Sequence, residues 1–303
     1  TNLVTGATYF FRITALNAGG ESLPSEVVGA RVSANGRAYH LVVNGFDRFD
    51  RSLSPTRYFG ANIAGNVTMV RPRQINSFDY VVQHGQALAA AGRVFDSCAH
   101  MAVVSNFVRM TNYYAAYWIL GEESTTNETF STAEQSLVQA FLTNGGCLFV
   151  SGSELGWDLG ALGSAADTAF LTNYLRTAYA ADSSGTNRAT GASGTVFDGL
   201  GTLQFDNGSG STYKVDYPDV FRSQAGSVTA MVYGSSSSGA NGAAIQFSNA
   251  WRTVVLGFPF ETIMDASYRT NVMKRVLDFF GAHPGESASA VSTNLLDEPF
   301  DAA

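Results

Sequence analysis

Between His40 and Phe280 the chain alternates short apolar runs with segments whose apolar residues recur every three or four positions. The runs His40–Asn44, Arg93–Cys98, Tyr117–Leu120, Cys147–Val150 and Thr253–Leu256 predict buried strands. The periodic segments predict helices over Phe78–Ala91, Ser131–Asn144, Ser164–Tyr174 and Asp265–Phe280. The second of these is the clearest. Ser131-x-x-Glu134 is a capping box, Leu137, Val138, Phe141 and Leu142 share a face, and Asn144-Gly145 closes it. In the last, Val272, Val276, Phe279 and Phe280 are expected to face inward. Gly185–Gly242, rich in Gly, Ser and Thr, predicts a β-rich insertion of short strands and long hairpins. Strands alternating with helices argue for an α/β domain: a parallel sheet with helices on both faces.

Residues 1–33 follow another rhythm, two alternating strands around the turn Ala18-Gly19-Gly20-Glu21-Ser22. Leu3-x-x-Gly6-x-x-Tyr9, Phe11-Arg12-Ile13-Thr14-Ala15-x-Asn17 and Gly20-x-Ser22-x-Pro24-Ser25 together resemble the last third of a fibronectin type III domain. Tyr9 matches that family's tyrosine-corner residue. The resemblance implies the last two strands of a partial module. A lone hairpin is marginal in water, so residues 7–33 are expected to lean on the α/β domain or on another molecule. The organisation expected is residues 1–33 as the partial module, 34–282 as the α/β domain, and 283–303 as a linker and the start of a following module.

The 303 residues suffice for one sizeable core plus a partial module. A net charge of −7 disfavours nucleic acid or an anionic membrane as partner, and no apolar run is long enough to span a bilayer. Cys98 and Cys147 are read as buried thiols, with a bridge between adjacent strands left open.

Only 14% of residues are charged, so the place where charge recurs is informative. Ligands of open parallel sheets sit outside the carboxyl ends of the strands. Acidic residues follow all five predicted strands. Asp47 and Arg48 follow the first, with Asp50 and Arg51 beyond. Asp96, Ser97 and His100 follow the second, and Glu122, Glu123 and Ser124 the third. Ser153, Glu154, Trp157 and Asp158 follow the fourth, and Glu261 the last. Helix capping is the plainer alternative for each carboxylate.

At the fourth exit, Gly152-Ser153-Glu154-Leu155-Gly156 has the spacing of a nucleophile elbow, with Glu154 at its centre. The order strand, helix, Asn144-Gly145-Gly146, strand, elbow, then a last strand ending Gly257-Phe258-Pro259-Phe260-Glu261 resembles the class I glutamine amidotransferase-like superfamily. That resemblance implies a flavodoxin-like fold. The family's elbow carries Cys and its last strand His followed by Glu. Here Glu154 and Pro259 stand in those places and only Glu261 matches, so glutaminase activity is disfavoured. Ser97-Cys98-Ala99-His100 sets possible nucleophiles beside an imidazole, but neighbours on a strand point to opposite faces.

Two functions of different class follow. One is a secreted or cell-surface hydrolase acting on extracellular polysaccharide or peptidoglycan. In it Glu154 and Glu261, with Asp47 and Asp96, supply acid and base, or Asp47, Asp96 and Glu154 hold calcium or magnesium. Substrate would be bound by Trp157, Asp158, Ser153, Arg48, Glu122 and His100, with core packing the alternative for Trp157. The other is a non-catalytic binding or spacing domain that kept the fold and lost the nucleophile. The Cys and His departures favour the second, the acidic exits and Trp157 the first, and the first is the working reading.

Overall fold

A computed structural model describes residues 3–34, 36–49, 54, 56–69, 79–283 and 285–286. Five strands make the parallel centre: β5 (His40–Asn44), β8 (Phe95–Ala99), β9 (Ala115–Gly121), β10 (Cys147–Gly152) and β17 (Arg252–Leu256). They lie side by side in the order β8-β5-β9-β10-β17, so the first strand in sequence sits between the second and third. This is the doubly wound order 2-1-3-4-5, and its switch point falls between β5 and β9. The protein is a mixed α/β structure with a mostly parallel central sheet.

The alternation of side chains along each strand assigns the two faces. Val42, Tyr117, Ile119, Phe149 and Val254 point to one side, where Val272, Met273 and Val276 of α5 (Ala266–Phe280) and Val81 and Leu88 of α1 (Val81–Ala90) cover them. Leu41, Val43, Trp118, Leu120 and Val150 point to the other, beneath α2 (His100–Val104), α3 (Thr132–Thr143) and α4 (Ala165–Asn173). All these strand residues are wholly buried, each contributing about 1.5–3 kcal/mol. The helix predicted from Phe78 begins at Val81, and position 78 itself lies outside the described residues. The capping box at Ser131 is formed as the sequence indicates, with Ser131 and Glu134 bonded reciprocally.

The Gly-rich segment is not an excursion away from the sheet but its continuation. Strands β12 (Arg188–Gly191), β13 (Thr202–Gln204), β15 (Ser227–Tyr233) and β16 (Gly242–Ser248) extend the sheet antiparallel beyond β17. The pair β11 (Thr177–Ala181) and β14 (Val220–Ser223) joins through β16. At the opposite edge, β1 (Thr8–Phe11) pairs antiparallel with β4 (Val28–Arg31), and β4 pairs with β8 at Ala30 and Asp96. The expected cover for this hairpin is therefore partly supplied. Phe10 packs toward Phe95, and the buried Arg31 donates to the carbonyl of Ala89 at the end of α1. Phe11 at the end of β1, and Ile13 and Leu23 in the connection that follows it, are exposed at 47%, 76% and 75%. Two small ribbons, β2 (Leu16–Asn17) with β3 (Gly20–Glu21) and β6 (Thr56–Tyr58) with β7 (Asn66–Thr68), lie outside the main sheet.

The tail is not a free linker at its start. His283 stacks on Tyr39 at 4.4 Å. Glu286 bonds His40 Nε2 at 2.9 Å and pairs with Arg93 at 3.1 Å, both beneath the amino ends of the strands. The expected opening strand of a following module, residues 294–301, lies outside the described residues.

Candidate functional site

The carboxyl ends of β5, β9, β10 and β17 bring Asp47, Arg48, Glu122, Glu123, Ser153, Glu154 and Glu261 to one mouth of the sheet. Two of these carboxyls, Glu122 and Glu123, hold the chain's own backbone, as do Asp158 and Asp219 nearby. Glu123 accepts the backbone N–H of Arg48, tying the loop after β5 to the loop after β9, and the Arg48 guanidinium donates to the carbonyl of Glu122 at 2.9 Å. Glu122 accepts the N–H of Asp216 at 2.6 Å. Asp158 accepts both the N–H (2.8 Å) and the hydroxyl (2.6 Å) of Thr129. Asp219, just ahead of β14, accepts the N–H groups of Gly156 and Trp157 at 2.5 and 3.1 Å, at the start of the helical turn that follows β10.

Burial raises these acids. Glu122 and Glu123 are each pushed up to about 8, with burial outweighing their backbone hydrogen bonds. Burial lifts Asp219 well above the carboxylate range, and the nearby Glu154 and Asp182 add to the lift. Glu261, on the turn Phe260–Thr262, has no exposed surface. It accepts from Tyr213 at 2.6 Å and is pushed up to about 7 by burial. Glu154 differs. It is half-buried, accepts from the Ser124 hydroxyl at 3.0 Å, and is pushed up to about 7, chiefly by burial. Its charge is also felt at Glu122 and Asp219. It is the carboxyl of this group best placed to exchange a proton with solvent near neutrality.

The expected strained elbow is absent. Among the described residues the non-glycine positions with positive φ are Asn106, Glu128, Arg176, Ser183 and Tyr217, and Glu154 is not one of them. The flanking glycines serve packing. A Cβ on Gly152 would stand 2.7 Å from Leu120 Cβ, and one on Gly156 would stand 2.8 Å from the Phe221 ring and 3.1 Å from Asp219 Oδ2. The chain leaves β10 and enters a π-helical turn, Trp157–Leu162, without a left-handed residue.

A second carboxylate group lies toward the outer helices. His100, first residue of α2, bonds Glu134 Oε1 at 2.6 Å through Nδ1 and Asp47 Oδ2 at 3.1 Å through Nε2. These two bonds lift the imidazole to about 10, and the bond to His100 draws Asp47 below its ordinary value.

No family model matches the chain, and no curated protein does. Solved structures share parts of the architecture. A GH42 β-galactosidase from G. stearothermophilus is 13% identical over 80% of this chain, with a TM-score of 0.46. The match takes in 30% of the β-galactosidase chain, so this protein spans under a third of that relative. A cytoplasmic protein from Salmonella typhimurium is 11% identical over 80% of this chain and 98% of its own, with a TM-score of 0.47. A ThuA-like protein from Bacteroides uniformis is 8% identical over 78% and 89%, with a TM-score of 0.44. Likeness at this level says nothing about activity.

The placement of the expected residues is uneven. Asp96 is not at a strand exit. It is the second residue of β8, opposite Leu41 and Ala30, and accepts from Tyr113 at 3.0 Å. The predicted run Arg93–Cys98 already spanned this position, and β8 keeps Asp96 and Ser97 within the strand, so of the residues assigned to this exit only His100 lies beyond it. Asp47, Asp96 and Glu154 do not gather, and among the described residues no group of three His, Cys, Asp or Glu side chains is arranged for a metal ion. The calcium or magnesium site expected from them is therefore not formed by these side chains. Ser153 is buried and donates to the carbonyl of Gly121. Trp157 packs obliquely on Tyr179 at 6.1 Å, half-buried. Ser97 accepts the N–H of Gly29, and Cys98 is a buried free thiol pushed up to about 12 by burial, so Ser97–Cys98–His100 is no dyad. Asp50 and Arg51 lie outside the described residues. Sequence reasoning missed Asp219 and Tyr213, which come from the Gly-rich segment where no periodicity marks them.

Proposed function

We propose that the chain belongs to a secreted or cell-surface multidomain protein, and that residues 34–282 are a non-catalytic module engaging an extracellular polymer, polysaccharide or peptidoglycan. In this reading the α/β domain is a flavodoxin-like relative of the amidotransferase-like superfamily that lost the Cys/His pair. The observation that carries it is that carboxyls at this end of the sheet are taken up by the chain's own backbone: Glu122, Glu123 and Asp158 after the strands, and Asp219 ahead of β14, each hold a backbone N–H. Groups so held are fixed parts of the fold, and Glu261 is closed to solvent. The association with a polymer rests on the fibronectin type III resemblance of residues 1–33. The exposed Phe11, Ile13 and Leu23 support that part, since large apolar side chains left open in this segment suit cover by the remainder of a sandwich or by another molecule.

The test is cosedimentation of the full chain with purified peptidoglycan and with insoluble polysaccharides, with soluble product assayed in the same tubes. Retention without product is expected. No retention on any polymer overturns the reading.

One observation favours the hydrolase alternative. Glu154, half-buried beside Ser124 and lifted to about 7, has the protonation a general acid needs at neutral pH. Product release by the parent chain, lost in Glu154→Gln, would establish that alternative.

A further inference from the structure

Arg176 stands in the turn between α4 and β11, with its guanidinium laid over the Phe247 ring at 4.7 Å and the Trp251 ring at 5.2 Å. Both rings are fixed by the sheet. Phe247 lies in β16 opposite Ser227 and Thr253, and Trp251 enters β17 with its indole Nε1 donating to the carbonyl of Tyr174 at 3.1 Å. The Tyr174 ring stacks beside Trp251 at 6.2 Å. The Ser227 hydroxyl holds the carbonyl of Arg176 at 2.7 Å.

The charge itself is not used by the fold. Among the described residues no hydrogen bond or ion pair reaches this guanidinium, and its Nε is closed to solvent without an acceptor. Residues 168–181 and 220–260, which build the end of α4 and the strands around it, hold no Asp or Glu, and every one of them is described. A basic residue past a helix end can bond the last carbonyls, but here those of Tyr174 and Leu175 are taken by Trp251 and Thr253. The backbone of Arg176 has φ 59°, the left-handed region that glycine adopts at a helix end without penalty. Covering two rings calls for no charge at such a position. Arg176, Tyr174 and Trp251 are all half-buried, so with Nε enclosed the guanidinium meets solvent through its terminal nitrogens. Two such nitrogens side by side match the paired oxygens of a carboxylate or a phosphate.

We propose that Arg176, Trp251 and Tyr174 form a subsite for an acidic sugar ring, with the Arg176 guanidinium taking a carboxylate or phosphate and the aromatic surfaces beside it taking the ring's apolar side. The inference rests on the polymer-binding reading for the expectation that the ring belongs to a polymer, and adds that the polymer is anionic.

The experiment is ligand-observed NMR on the full chain with glucuronic acid, glucose 6-phosphate and neutral glucose. The first two separate a carboxylated source from a phosphorylated one. At least one of them should bind about tenfold more tightly than glucose, as one charge-assisted contact implies. Arg176→Gly removes the guanidinium at a backbone position that suits glycine, so the chain should fold, with its melting temperature as control, and the preference should vanish. Arg176→Lys should keep part of it. Arg188→Gln makes a matching change of net charge on β12, beside Tyr233 at the other end of β15 from Ser227, and should leave the preference intact. Equal affinity for acid and neutral sugars, a preference that survives Arg176→Gly, or one that Arg188→Gln removes as well would each overturn the subsite. Cosedimentation of the same variants separates this from the broader reading. Polymer retention unchanged in Arg176→Gly removes the subsite and leaves the polymer reading standing. Arg176-dependent binding of an acidic sugar without retention on any polymer keeps the subsite and removes that reading.

Discussion

Asp219 Oδ2 accepts the backbone N–H of Gly156 at 2.5 Å, and this bond fixes how the chain turns out of β10. The same oxygen takes the N–H of Trp157 at 3.1 Å, while the carbonyl of Asp219 accepts from Tyr233 at 2.9 Å. A residue delivered by the antiparallel half of the sheet thus closes the start of a turn in the parallel half. Asp219→Ala leaves two buried N–H groups without an acceptor and should cost about 2–3 kcal/mol in urea unfolding. Asp219→Asn keeps an acceptor of the same shape and should cost much less. Equal losses for the two would show that the bond to Gly156 is incidental.

The raised carboxyls make stability depend on pH in a defined direction. Between the ordinary value of 4.5 and about 8, folded Glu122 keeps a proton that the unfolded chain has released. The folded state binds more protons there, so stability falls as pH rises through that window. Glu123 and Glu261, lifted to about 8 and about 7, act in the same sense. Glu122→Gln keeps an acceptor for the Asp216 N–H and removes the charge. The variant should match the parent near pH 5 and exceed it at pH 8.5, by on the order of 2 kcal/mol. Chemical unfolding at both pH values checks this, and a variant weaker than the parent at the higher pH would show that the ionised form is the stabilising one.

His100 titrates over a different window. Its folded value of about 10 lies above its ordinary 6.5, so its contribution is fully present below 6.5 and is lost as pH rises through about 10. Asp47 works oppositely. Its lowered value means that its share is present above the ordinary 3.8 and disappears as pH falls through the folded value. Asp47 is 58% exposed and Glu134 5%, so the Glu134 bond carries most of the effect. His100→Gln should lose about 1–2 kcal/mol at pH 6 and little above pH 10. Unfolding midpoints at the two pH values decide the matter, and a loss equal at both would assign His100 a packing role only.

The parallel centre was legible because its strands are buried on both faces and read as uninterrupted apolar runs, as Leu41–Val43 and Leu148–Val150 do. Ser131 and Glu134 marked the start of α3 because a capping box is local in sequence. Contacts between distant residues were not legible. That Asp219 reaches Gly156, or that Glu286 reaches His40, depends on pairings across 63 and 246 positions that leave no local pattern. The elbow misled for a related reason. Gly152 and Gly156 read as turn glycines, whereas Leu120 and Phe221 crowd them from other strands. Recurrent acids at strand exits marked the right end of the sheet, but not that Glu122, Glu123 and Asp158 hold backbone N–H groups there.

Glu154→Gln separates the two functional readings. The side chain is half-buried, bonded to Ser124 and lifted to about 7, so Gln should fit without loss of the hydroxyl contact. Because the folded value lies above the ordinary 4.5, ionisation above pH 7 works against the fold. The variant should therefore melt at the same temperature as the parent near pH 5 and slightly higher at pH 8.5. Under the binding reading there is no turnover to lose, and retention on polymer should be unchanged, since Gln keeps the shape of the side chain and its contact with Ser124. Under the hydrolase reading the parent should release soluble product, with a rate that falls as Glu154 loses its proton above about pH 7, and the variant should release none. Titration of the parent with calcium or magnesium completes the comparison. No change in melting temperature at millimolar cation is expected, because Asp47, Asp96 and Glu154 stand apart, and a clear rise that Glu154→Gln abolishes would put a cation at this carboxyl after all.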